Sequence, residues 1–283
     1  MKTRGFQRFQ RFQGFQGSKV GMVIVALVAI ASISLTAERA ASLDATAIME
    51  RNFQASKVTG VRLEASMVLI NDKGQQRERR NTTVVALQPN GVDSKFAVKF
   101  STPADIRGTA FLQVEHGDGD DDLWIYLPAL KKSRRLVANN KKDSFVGSDF
   151  SYGDISLPKV AKYRHTLSRT EPMDGVDCYV IESVPGDDTV KTNSGYSRKL
   201  TWVRSDNFVE TKVEYYDLAG RLLKTQRVTK PQVVDAKAGR WFPLSREMTN
   251  HQTGHKTTLD VLKLETNVPT PDEIFTTRYI ERE

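Results

Sequence analysis

The sequence contains one cysteine, Cys178, in 283 residues. A single cysteine closes no internal disulfide, so stability has to come from an ordinary packed core. Cys178 stands in the strand-like stretch DCYVIESV and reads as a small buried residue rather than a reactive thiol. It also lies far from the N-terminus, which excludes the lipidated cysteine of a bacterial lipoprotein. There are only four histidines. His251 and His255 are four apart in HQTGH, but that stretch is a turn, without the helix and glutamate that a zinc pair at this spacing requires. His116 and His165 are isolated in strand contexts and read as structural. Asp118, Asp120 and Asp122 occupy the first, third and fifth places of a calcium loop. Leu123 then replaces the required glycine and Ala129 the bidentate glutamate, so HGDGDDD reads as an acidic hairpin tip. A nucleophile elbow, a Walker loop and a dinucleotide fingerprint are all missing. Together these absences argue against an enzyme, a metal site and a cofactor.

The one extended apolar run covers residues 20–35 and is 16 residues long. A spanning helix needs about 20. Lys2, Arg4, Arg8, Arg11 and Lys19 precede the run, with no acid before Glu38. A basic leader and a short apolar core read as an export signal over residues 1–37, favoured over a retained anchor. Ala37 is the candidate last residue of that signal, although Leu35 makes the cleavage pattern imperfect. The repeated FQR/FQG triplets of residues 6–17 extend the leader and suggest no mechanism of their own. The leader carries five of the formal +8 charges, which leaves +3 for residues 38–283. That is too little for a nucleic-acid surface.

Residues 42–56, SLDATAIMERNFQAS, predict a helix, with Ser42 or Asp44 as cap and Ile48, Met49 and Phe53 as its apolar stripe. After Gly60 the apolar period becomes two. Val61, Leu63, Ala65, Met67 and Leu69 alternate with more polar neighbours, as in a half-buried strand. NDKG and QPNG mark turns, and short strand patterns separated by such turns continue to the C-terminus. About a dozen strands without intervening long helices predict one antiparallel meander. A sheet of that size has to close, curl or be covered. The only evident covers are the N-terminal helix and the irregular segment 139–162. The expected fold is therefore mainly β with few helices: a strongly curved antiparallel sheet or half-open barrel, in one domain over residues 38–283.

One block is more specific. WIYLPALKKSRRL and SFVGSDFSYGDI, within residues 124–155, resemble the signature of the outer-membrane lipoprotein-sorting family, the LolA-like group, and of its long branch in particular. The matching positions are Trp124, Tyr126, Pro128, Arg134, Arg135, Phe145, Gly147, Ser148, Asp149, Phe150, Tyr152 and Asp154. Val146 departs from the methionine more often found at its place. The resemblance implies a half-open β-barrel with a helical lid, an apolar interior for acyl chains, and a monomeric periplasmic carrier without cofactor or chemistry. Its cargo would be a lipid or a lipidated protein, handed on toward the outer membrane, with an inner-membrane exporter or an outer-membrane acceptor as partner. A lipid-sensing or accessory subunit of an inner-membrane exporter is the alternative.

The residues themselves allow further expectations. Trp124 and Tyr126 share one strand face and Ile125 and Leu127 the other, so one pair is a candidate for the pocket wall. Phe145, Phe150 and Tyr152 are candidate plugs between lid and barrel mouth, or else simple anchors in the core. Ser151 and Asp154 have the spacing of a capping box, and Gly147 supplies a bend. Pro128, Gly147, Ser148, Asp149 and Asp154 thus form a candidate structural clasp. Lys131, Lys132, Arg134 and Arg135 form a basic rim, suited to anionic head groups or an acidic partner. Alternatively, Arg134 or Arg135 clamps Asp149 or Asp154.

Overall fold

A computed structural model describes residues 44–117, 119–156 and 159–282. The export signal expected over 1–37, Ser42 as a cap and Asp118 of the acidic tip lie outside them. Asp44 begins the first helix, α1 (Ala45–Ala55), and its carboxylate accepts the Ala47 N–H at 2.7 Å. The strands follow at once: β1 (Val61–Ile70), β2 (Gln76–Leu87), β3 (Ser94–Thr102), β4 (Ala110–Val114), β5 (Asp122–Leu127) and β6 (Lys132–Leu136). The chain then leaves the sheet for an irregular crossing segment, residues 137–162. It holds one helical turn, α2 (Tyr152–Ile155), and three 3-10 turns. The second run of strands is β7 (Tyr163–Met173), β8 (Val176–Pro185), β9 (Arg198–Arg204), β10 (Glu210–Tyr216), β11 (Leu222–Asp235), β12 (Arg240–Asn250) and β13 (Lys256–Glu265). A helix α3 (Asp188–Ser194) separates β8 from β9, and α4 (Thr277–Ile280) ends the chain.

All thirteen strands form one antiparallel sheet in the order β6-β5-β4-β3-β2-β1-β13-β12-β11-β10-β9-β8-β7. Each half is a meander, and the first and last strands pair at the centre, Arg62 opposite Glu265 and Ile70 opposite Lys256. The edges β6 and β7 do not pair with each other, so the sheet is open.

Its curvature follows from who touches whom. Leu123 and Ile125 of β5 share one buried cluster with Val213 and Tyr215 of β10. Eight strand spacings lie between them, about 40 Å on a flat sheet. Only a curled sheet brings both to the same core. What fills the inside of the curl is the crossing segment: Phe145, Phe150 and Tyr152 are buried there among Phe100, Phe111, Met67 and Met248. Beside it α1 packs Ala45 and Ile48 on Ile181 and Val203.

The sequence pattern missed a third cover. The C-terminal turn Asp272–Phe275 and α4 lie against the outer face, where Phe275 and Ile280 pack on Val84, Ala97, Ala110 and Leu112. β4 is consequently buried on both faces, Phe111 inward and Ala110 and Leu112 outward, which explains why its sequence shows no polar alternation.

Candidate functional site

The crossing segment is the best candidate for a site because it stops up the concave face. It folds back on itself. The Phe145 N–H donates to the Phe150 carbonyl at 2.7 Å, and the Tyr152 N–H to the Asp143 carbonyl at 3.1 Å. Ser144 Oγ donates to the Ser148 carbonyl at 2.6 Å, and Ser148 Oγ to the Phe145 carbonyl at 2.8 Å. At the tip, Val146 and Gly147 both have positive φ, 49° and 77°. Glycine adopts that conformation freely, whereas valine has to be held in it. The holder is Arg79 of β2, whose Nη1 donates to the Val146 carbonyl. Phe145 meets Phe111 and Tyr152 edge-on, with centroids 5.6 and 5.5 Å apart.

The base of this loop is fastened by a buried ion pair. Ser151 and Asp154 form the expected capping box, with the Ser151 N–H donating to Asp154 Oδ2 at 2.7 Å and the Asp154 N–H to Ser151 Oγ at 3.1 Å. Lys224 of β11 donates to the same Oδ2 at 2.6 Å and to the Asp149 carbonyl at 2.9 Å. The Tyr196 hydroxyl donates to Asp154 Oδ1 at 2.9 Å. The two charged side chains are 6% and 2% exposed. Burial pushes the Asp154 carboxyl upward, but the Lys224 ammonium, the Ser151 donor and the Tyr196 hydroxyl outweigh it and hold the group below its ordinary value. Burial, with the Asp154 charge beside it, raises the Tyr196 phenol well above its ordinary value. Asp149 is tied to β13: its carboxylate accepts the Thr257 hydroxyl at 2.7 Å, and its N–H donates to the same oxygen at 3.0 Å.

A second buried pair closes the other end of the concave face. Lys57, just past α1, is fully buried. It donates to Glu115 and, at 3.0 Å, to Ser94 Oγ, with its ammonium 4.3 Å from the Phe53 ring centroid. Burial lowers the Lys57 pKa, and Glu115 opposes that shift. Between the two fastenings lies a chamber of about 140 Å³, walled by Val58, Leu63, Met67, Phe96, Val98 and Phe145. A smaller chamber of about 70 Å³ continues beneath α1, next to Met49, Tyr163 and Tyr215.

Of the residues singled out in the sequence, Phe145, Phe150, Tyr152, Gly147, Ser148, Asp149 and Asp154 come together in this loop. The others lie elsewhere. Ile125 faces the loop, while Trp124 and Tyr126 point to the opposite face and pack toward Phe275 and Tyr279. Pro128 starts a 3-10 turn and touches Gly108, outside the clasp; with Tyr126, Lys131 and Tyr279 it lines an outer groove. Lys131, Lys132, Arg134 and Arg135 are exposed along edge strand β6 or the turn before it. The expected arginine clamp on Asp149 or Asp154 is not formed. Arg135 binds Asp122 instead, because β5 and β6 pair there and hold both side chains at the sheet edge, while Lys224 reaches Asp154 from the inner face. Lys224, Tyr196, Thr257, Arg79, Lys57 and Glu115 were not anticipated. Among the described residues no cluster of three or more metal-ligating side chains is present. The acidic tip uses Asp121 to pair Lys141 and Lys159, and Asp122 to meet His116. Among the same residues no helix is long and apolar enough to cross a membrane.

Residues 92–282 match the model of a family described as an uncharacterized protein family. Three solved structures are similar over almost their whole length. An outer membrane lipoprotein-sorting protein domain from Vibrio parahaemolyticus is 32% identical, with a TM-score of 0.74 over 84% of this chain and 98% of its own. A DUF1329 family protein from Desulfovibrio piger is 29% identical, with a TM-score of 0.75 over 83% and 97%. A LolA superfamily protein from Nitrosomonas europaea is 26% identical, with a TM-score of 0.64 over 84% and 100%. No curated protein matches the chain.

Proposed function

The chain belongs to the outer membrane lipoprotein-sorting proteins of the LolA superfamily, and from that premise we propose that it is a periplasmic carrier of acyl chains, drawn from lipids or lipidated proteins and delivered toward the outer membrane. The observation that carries this reading is the apolar chamber between the concave face and the Phe145 loop. Each methylene left in water costs about 0.8 kcal/mol, so a chain carried through an aqueous space needs such a sheath. A chamber of this size holds a group about as large as benzene, which is the end of one acyl chain. Longer cargo enters as the Phe145 loop withdraws from the sheet. The polar groups beside the chamber serve as fastenings: Asp154 and Glu115 are each committed to a lysine, and His165, whose pKa burial lowers, sits between Ser183 and the Val160 carbonyl. The proposed carrier performs no chemistry, needs no cofactor and acts as a monomer.

Purified protein from the periplasmic fraction is expected to show bound acyl species in native mass spectrometry and to bind a fluorescent fatty acid that unlabelled fatty acid displaces. Absence of both overturns the reading. Phe145→Asp is expected to weaken retention far more than Lys142→Ala, because it places a charge on the chamber wall.

A further inference from the structure

The inner row of β12 contains an arginine that the carrier reading does not use. Phe242, Arg246 and Met248 share the concave face: Phe242 and Arg246 line the apolar chamber, and Met248 lies in its core. Arg246 also lines the smaller chamber, so it stands where the two meet. Its cross-strand neighbours are Val228 on β11 and Leu259 on β13, neither of which neutralises a charge.

The outer row of the same strand is arranged differently. There Ser245 donates to Asp260 at 2.6 Å and Glu247 pairs with Lys256 at 3.2 Å. Every other inner-face charge next to the chambers is engaged as well: Lys57 by Glu115, Lys224 by Asp154, and Glu210 by the Gln226 amide at 2.9 Å. Lys199, in the smaller chamber, stacks its ammonium 4.6 Å from the Tyr163 ring centroid. Among the described residues, Arg246 has neither a carboxylate within ion-pair distance nor a hydrogen-bond acceptor, and unlike Lys199 it stacks on no aromatic ring. The half-buried Arg246 guanidinium, set among apolar walls without a counterion, offers a forked donor to any anion that enters.

We propose that Arg246 is the receptor for the anionic head of a single-chain amphiphile, a carboxylate or a phosphate monoester, whose tail lies in the apolar chamber. The inference rests on the carrier reading and narrows it to charged amphiphiles. The smaller chamber, which Lys199 also lines, provides room for the head and its water.

The test compares palmitate, hexadecyl phosphate and hexadecanol, which share a tail, by calorimetry or probe displacement on the intact protein. The acid, the phosphate or both should bind at least about tenfold more tightly than the alcohol, the scale of one charge-assisted hydrogen-bond pair. The acid and phosphate arms tell which head is preferred. Arg246→Gln should remove the preference, and Arg246→Lys should restore part of it. Equal binding of all three by the wild-type protein overturns this inference and leaves the carrier reading standing. Binding of none overturns both. The wild-type comparison needs no variant, so a misfolded Arg246→Gln protein leaves the outcome decided.

Discussion

The two faces of the sheet use charge in opposite ways. On the outer face, Lys256–Glu247 and Lys263–Glu265 lie at the surface, with side chains 39–59% exposed. Solvent and salt screen such pairs, and each contributes little. On the inner face, Lys57–Glu115 and Lys224–Asp154 are at most 7% exposed and each ties a cover to the sheet. A buried pair is not necessarily more stabilising than an apolar substitute, but removing half of it is severe. The inner charges therefore specify where the covers dock, while the outer ones keep the surface soluble.

The largest effect that would test this contrast is Asp154→Ala. It strands the Lys224 ammonium and is expected to cost about 3–5 kcal/mol in urea unfolding, much of it regained by adding Lys224→Met. A loss below about 1 kcal/mol would erase the distinction between the faces. Glu115→Gln comes next, at about 2–3 kcal/mol, because the Ser94 hydroxyl and the Phe53 ring still face Lys57. Acid gives a third probe. The Asp154 carboxyl is held below its unfolded value of about 3.9, so the stability it adds is complete above that pH and drains away as pH falls through the lowered folded value. Melting temperatures followed from pH 6 to pH 2 should show this loss, and Asp154→Asn should make the decline shallower. The smallest effect belongs to Lys256→Ala, which should stay within about 1 kcal/mol of wild type and shrink further in salt.

How much could be read from the chain depended on distance along it. The Ser151–Asp154 capping box spans three residues and was legible, as were the Asp44 cap and the alternating strand β1. Lys224 meets Asp154 across 70 residues, and no local pattern reports such a contact. A weaker signal was available: Leu222, Lys224, Gln226 and Val228 alternate with Leu223, Thr225 and Arg227, so a lysine stood in a row that ends in a buried valine. The two faces of β5 were separable by parity, but which one turned inward was not, since both are covered, one by Phe145 and the other by Phe275. The C-terminal cover was missed because a 3-10 turn and a four-residue helix are too short to impose a period.

The central β1–β13 seam has a kinetic consequence. All thirteen strands belong to two meanders, and eleven of the twelve pairings join strands consecutive in the chain, but the ladder that joins the meanders brings residue 62 to residue 265. Closing so long a loop is entropically expensive and slow compared with hairpin formation. Each wing should collapse early as a separate body with an open edge, and the curl that defines the chamber should appear only when the last strand zips between them. Folding of the wings and creation of the binding cavity would then be two events, separable in time by following Phe145 burial against hairpin protection in pulsed hydrogen exchange.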